Sequence, residues 1–214
     1  MLPLLPADGL TTPVVLGYGG SEWALWENAT FFPWDSRVDY RPEPDGRGDV
    51  VLRATSRDAA SMLRRRVRLE PAVTPRVTWT WKVPALIPGA QTTVPGKDDA
   101  AARIYFFWNL ERKEDLVRAY GLSYVWGQGP EPGTLRPDPG AARIGVFVLR
   151  SGASPRGTWQ RESRDLRQDF RTFFGREPLG PVTLVALLTD TDQTRGRATA
   201  WYGPITATAN PKED

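Results

Sequence analysis

Cysteine and histidine are both absent from this chain of 214 residues. Without cysteine there are no disulfides and no thiolate metal sites. Without histidine there is no histidine-based triad, no histidine-ligated zinc, and no side chain that ordinarily titrates near neutral pH. Any chemistry must rest on carboxylates, Tyr, Lys, Ser or Thr, or on a hard ion held by oxygen. Lysine is scarce too: apart from Lys82, Lys97, Lys113 and Lys212, the 28 basic residues are arginine. The formal net charge is only +3, and the one basic run, Arg64-Arg65-Arg66-Val67-Arg68, is short and strand-like. The long basic stripe with interleaved stacking aromatics that marks nucleic-acid binders is missing, so no nucleic-acid partner is expected. No apolar run is long enough for a membrane-spanning helix, so no transmembrane segment is expected. Met1-Leu2-Pro3-Leu4-Leu5-Pro6 lacks the basic start and continuous apolar core of a signal peptide. That leaves a cytoplasmic protein, or an exported one whose leader precedes this sequence.

What is present is core-forming material. Hydrophobic residues make up 40%, with nine Trp and eight Phe to fill an interior. The length suits one generous β domain. Val77, Trp79, Trp81 and Val83 alternate with polar residues, which predicts an amphipathic strand with both tryptophans in the core. In the next strand Ala102, Ile104, Phe106 and Trp108 share one face and Arg103, Tyr105 and Phe107 the other. Both faces being covered predicts a central strand. On the 62–69 strand, Arg65 shares a face with Leu63, Val67 and Leu69, so it needs a carboxylate from one of the acidic clusters. Further strands are expected over 49–56, 121–127, 142–149, 182–188 and 197–206, with Pro/Gly-rich connections over 84–97 and 128–140. One segment breaks the β rhythm: Leu166, Phe170, Phe173 and Phe174 recur at helical spacing and are stopped by Gly175 and Pro178, which predicts a short helix near 165–175. About nine strands and one helix point to an all-β fold, a jelly-roll-like sandwich of the galactose-binding or concanavalin-like kind. The expected layout is an irregular lead-in over 1–20, one domain over 21–208 and a tail over 209–214.

Two acidic clusters stand at strand ends. Asp98 and Asp99 lead, with Arg103, into the strand that carries Tyr105. Asp190 and Asp192 end the run Val182–Leu188. Charge gathered at the mouth of a buried strand is costly unless it is paired or meets a ligand. Rings that stack on apolar sugar faces, beside charged groups that bond hydroxyls, are what a carbohydrate site uses. Asp98, Asp99, Arg103, Tyr105, Tyr124, Trp126, Asp190 and Asp192 are therefore the candidate binding residues for a glycan or small polar ligand. No catalytic residues are assigned. No cofactor is expected beyond calcium, for which Asp190 and Asp192 are the candidate ligands. Two alternatives remain open. One is a glycoside-active enzyme using two carboxylates, such as Glu162 with Asp190 or Asp99 with Asp190. The other is a cell-envelope interaction module whose Arg64, Arg66 and Arg68 face an acidic polymer.

A set of segments in order carries a family likeness. They are Trp79-Thr80-Trp81-Lys82-Val83, the stretch from Gly96 to Tyr105, Leu122-Ser123-Tyr124-Val125-Trp126, Arg150-Ser151-Gly152, Glu162 to Asp169, Phe174-Gly175, Thr189 to Thr194, and Ala200-Trp201-Tyr202-Gly203. They resemble an uncharacterised bacterial family, the domain of unknown function numbered three thousand and forty-seven, over roughly residues 20–206. The resemblance implies one β domain of an exported type, periplasmic or extracellular, with no assigned activity and so no catalytic residues to carry over. Where members of that family close with Gly-Asp-Ile, this chain has Gly203-Pro204-Ile205.

Overall fold

The computed structural model describes residues 14–16, 25–46, 48–109, 119–152 and 154–209. Among these, fourteen strands and one helix form two seven-stranded sheets. The first sheet contains β1 (Val14–Val15), β14 (Thr206–Thr208), β6 (Arg76–Lys82), β13 (Arg197–Tyr202), β4 (Val50–Arg57) and β3 (Asp39–Pro44), in that order, with β11 (Gln160–Asp165) on the free side of β6. The second runs β2 (Glu27–Thr30), β5 (Ser61–Leu69), β12 (Val182–Leu188), β7 (Ala102–Trp108), β8 (Tyr120–Trp126), β10 (Ala141–Arg150) and β9 (Leu135–Asp138). Only the β8–β10 pairing is parallel, and the chain fills the connection between them with β9, which pairs back on β10. That strand lies in the proline-rich stretch expected to be a plain loop. The lead-in and tail fall largely outside the described residues, but Val14–Val15 is ordered into a strand against β14.

Alternation decides which side chains face the interior. On β6, Val77, Trp79 and Trp81 are buried while Thr78, Thr80 and Lys82 are half-buried. They meet Tyr124 and Trp126 of β8 across the sandwich: Trp79 lies 5.3 Å from Tyr124 and Trp81 lies 5.8 Å from Trp126, ring centre to ring centre. Each such ring removes about 200 Å² from water, worth about 5 kcal/mol at about 25 cal/mol per Å². β7 is buried along its whole length and stands fourth of seven, as both of its apolar faces require.

The helix α1 (Leu166–Phe174) closes one end of this core. Asp165 caps it by accepting the Gln168 N–H at 2.9 Å, and Gly175 ends it in the left-handed region at φ 68°, where glycine has no Cβ penalty. Leu166 and Phe170 are fully buried, and Phe170 packs 4.8 Å from Trp108. Beside it, Asp169 takes both Nε and Nη2 of Arg164, at 2.8 and 2.5 Å, and the Tyr124 hydroxyl at 2.6 Å. Arg65 is half-buried on β5. Arg103 is the arginine that lines the pocket with the acidic strand ends.

Candidate functional site

The outer face of the second sheet is not a solvated face. Strand alternation that sends Ile104, Phe106 and Trp108 inward sends Arg103, Tyr105 and Phe107 outward, and these are buried as well. With Met62, Leu184 and Ile144 from neighbouring strands they floor a pocket of about 750 Å³. Its wall is the end of β2 and the turn after it, with Phe31 and Phe32. Its rim includes Asp138, Gly140 and Ala141. Asp98, Arg103, Asp190, Asp192 and Gln193 gather at the polar end. Phe32 and Trp34 stack in parallel at 5.1 Å on this side and are 54% and 78% exposed, a surface that hydrophobic burial alone would not leave in water.

Two loops build the polar end, one leading into β7 and one leaving β12. They are locked by backbone and carboxylate bonds. Asp190 accepts the Ala100 N–H through Oδ1 at 2.9 Å and donates its own N–H to the Ala100 carbonyl at 3.2 Å. Asp99, fully buried, accepts the N–H groups of Gln193 and Thr194 at 3.2 and 2.8 Å and the Thr194 hydroxyl at 2.5 Å. Asp99, Asp190 and Asp192 thereby place oxygens within 4.8 Å of one another. The two acidic strand ends meet. Asp99 spends its lone pairs on holding the loop, so its role is positional.

Arg103 supplies the counter-charge. Its Nη1 donates to the Tyr105 hydroxyl at 3.0 Å and to Asp138 at 3.3 Å, and its Nη2 donates to the Asp98 carbonyl at 2.6 Å. Burial alone would make the guanidinium easier to deprotonate, but Tyr105, Asp190 and Asp138 hold it firmly charged. Burial pushes the Tyr105 hydroxyl well up, only partly offset by Arg103, so it stays protonated. Burial also pushes Asp190 up to about 7, against the pull of Arg103. Asp98 and Asp192 are raised for the same first reason.

Of the eight residues singled out from sequence, Asp98, Arg103, Tyr105, Asp190 and Asp192 line the pocket, and Asp99 braces it. Tyr124 and Trp126 do not share it. They sit fully buried on the opposite face of the sheet, in the inter-sheet core. Their strand is buried on both faces, with Gly121, Ser123 and Val125 on the other one, so burial did not say which face they took. Glu162 is also remote, on β11 of the other sheet, where it accepts from Trp81 Nε1 at 3.0 Å and Arg150 Nε at 2.5 Å. Arg64 and Arg68 of the basic strand pair with Glu27 and Glu70. Asp138, Phe32 and Trp34 were not foreseen. Asp138 precedes Gly140 in a turn where its Oδ1 accepts the glycine N–H, and nothing local signals that its other oxygen reaches an arginine 35 residues away. A second hollow, of about 810 Å³, runs beside α1, but its arginines Arg167, Arg171 and Arg176 are all exposed and the first two are already paired with Glu177.

The family described as "Protein of unknown function (DUF3047)" matches residues 24–206. The chain belongs to that family. No curated protein matches it. Among solved structures it is similar to the family 11 carbohydrate-binding module of a Clostridium thermocellum cellulosomal cellulase, with TM-score 0.51 and 7% identity over 95% of this chain and 98% of that one. It is also similar to a family 29 carbohydrate-binding module, with TM-score 0.43 and 10% identity over 92% and 91%. The likeness to the family 11 module is one of fold: this family member is a β-sandwich built like a carbohydrate-binding module. Among the described residues no helix is long and apolar enough to cross a membrane.

Proposed function

We propose that the pocket on the outer face of the second sheet binds a carbohydrate without transforming it. The observation that carries this reading is the composition of the pocket. An apolar floor of Tyr105, Met62 and Leu184, backed by the fully buried Phe107, runs directly into a polar end holding Asp98, Arg103, Asp190 and Asp192. Sugars present the same division, with an apolar ring face bounded by hydroxyls, and sites that recognise them combine apolar surface with a few fixed polar groups. The exposed Phe32–Trp34 stack extends the apolar surface at the mouth. The sandwich fold shared with a carbohydrate-binding module supports the reading. A thermal-shift screen against neutral, acidic and amino oligosaccharides tests it. A ligand that binds only the native state raises the melting temperature by mass action. A shift in wild type that disappears in Asp190→Asn supports the site. No shift with any glycan sinks it.

One observation favours a second reading, carboxylate-based glycoside cleavage. Asp190 retains a proton up to about pH 7, as a general acid must. Release of reducing sugar by wild type but not by Asp190→Asn would establish turnover. Saturable binding with no product would leave the binding module.

A further inference from the structure

The charge at the polar end is unbalanced. Five carboxylates line the pocket (Asp35, Asp98, Asp138, Asp190 and Asp192) against two arginines, Arg64 and Arg103. Arg64 is taken by Glu27, and Arg103 by Asp138. Among the described residues Asp98, Asp190 and Asp192 form no ion pair. Asp190 is 5% exposed and bonds only through Oδ1, leaving Oδ2 for whatever enters the pocket it lines. Such carboxylates are costly to hold charged, and burial raises all three. With a neutral sugar the carboxyls could shed that cost only by holding protons, as Asp190 does up to about pH 7, whereas a cation stabilises their charged forms. An acidic sugar would add to the cost, because it would face three carboxylates that form no ion pair while Arg103 already pairs with Asp138.

We infer that the natural ligand is cationic, an amino sugar whose free ammonium sits between Asp190 and Asp192, with Asp98 lining the same polar end, while its ring lies against the apolar lining of Met62, Tyr105 and Leu184. This rests on the carbohydrate reading above and names the kind of sugar. An ammonium offers three donors, enough to reach both Asp190 and Asp192, and is stabilised by charge-assisted bonds. Calcium fits the cluster less well. It takes six to eight oxygens, whereas Asp99 is committed to three hydrogen bonds and Asp190 Oδ1 to one. Nor does calcium account for the apolar half of the pocket.

Isothermal titration with three tetrasaccharides of one backbone (glucosamine, N-acetylglucosamine and glucose units) tests the inference, with calcium chloride titrated separately. The glucosamine tetramer is expected to bind at least about tenfold more tightly than the other two. That preference should shrink as salt rises. It should vanish in the Asp98→Asn/Asp190→Asn/Asp192→Asn variant, whose near-UV circular dichroism checks that it is folded. Should that variant not fold, Asp98→Asn alone, at a half-buried position, is expected to reduce the preference. Equal affinity for the amino and glucose tetramers overturns the ammonium site and leaves the carbohydrate reading standing. A preference that survives the substitutions places the amine elsewhere and overturns it too. Binding of none of the three overturns both readings. Tight calcium binding that excludes the glucosamine tetramer makes the cluster a metal site.

Discussion

Two arginine–aspartate–tyrosine centres lie on opposite faces of the same sheet, and they differ in how completely they close. On the inner face, Arg164 meets Asp169 with both ends of its fork, and Tyr124 donates to the same carboxylate. One positive charge meets one negative charge. Burial and Asp169 together keep the Tyr124 hydroxyl protonated, so it serves as a donor. On the outer face, Arg103 meets Tyr105 and Asp138, but Asp98, Asp190 and Asp192 crowd the same pocket without a cation of their own. The first centre has everything it needs from the chain and ties helix to sheet. The second is left incomplete beside an open volume. Residue types alone do not separate structure from function here; the stoichiometry of charge does.

The comparison can be broken most forcefully at Arg103. Replacing it with alanine strands Asp138 in a buried site and removes the attraction Arg103 exerts on Asp190, which is expected to cost about 3–5 kcal/mol. At roughly 2–4 °C per kcal/mol for a chain of this size, calorimetry should record a fall of roughly 6–20 °C in the melting temperature. A fall of only a degree or two would mean that the outer centre is not electrostatically coupled.

Next in size is a pH effect. The folded Asp190 carboxyl titrates near 7, while in the unfolded chain it titrates near its ordinary value of about 4. Between these values the folded protein keeps a proton that the unfolded chain has lost. Stability should therefore fall as pH rises through that window and level off above it. The full span corresponds to about 4 kcal/mol at most. Asp190→Asn should flatten most of this slope in denaturant titrations run from pH 4 to 8, with a smaller slope of the same sign remaining from Asp98 and Asp192. An unchanged slope would remove Asp190 as its source.

Asp169→Asn opens the inner centre instead. Arg164 is about a third exposed, so water takes over part of the interaction and the expected loss is about 2 kcal/mol. Ligand affinity should not move. The smallest stability effect belongs to Trp34→Ala, at 78% exposure: under about 0.5 kcal/mol in denaturant, but a measurable loss of glycan affinity. Equal affinity would take Trp34 out of the site.

How far the sequence revealed this can be judged from particular residues. The Val77–Trp79–Trp81 alternation and the Leu166–Phe170 spacing placed a strand and a helix correctly, because each element shows a single apolar periodicity with clear caps. β7 was legible as a central strand for the opposite reason, since both of its faces are apolar. Double-sided burial then hid what mattered for Tyr124 and Trp126. A strand that is buried on both faces, as β8 is, does not show which face meets the second sheet and which floors a pocket. The meeting of the two acidic loops depends on the pairing of β12 with β7, a contact between segments about 80 residues apart. The Arg103–Asp138 pair depends on β9, a strand interrupted by Pro137 in a stretch rich in turn residues. Non-local pairing brought these groups together, and no local pattern encodes it.

The most direct test of the outer-face pocket is to block it without touching its charges. Ala141 lines the rim and is half-buried, and Ala141→Trp would fill the entrance. Wild type, Ala141→Trp and Asp169→Asn should be titrated calorimetrically with the same panel of neutral, acidic and amino oligosaccharides. The account predicts binding to wild type and Asp169→Asn, and none to a folded Ala141→Trp. Undiminished binding to the blocked variant would contradict it.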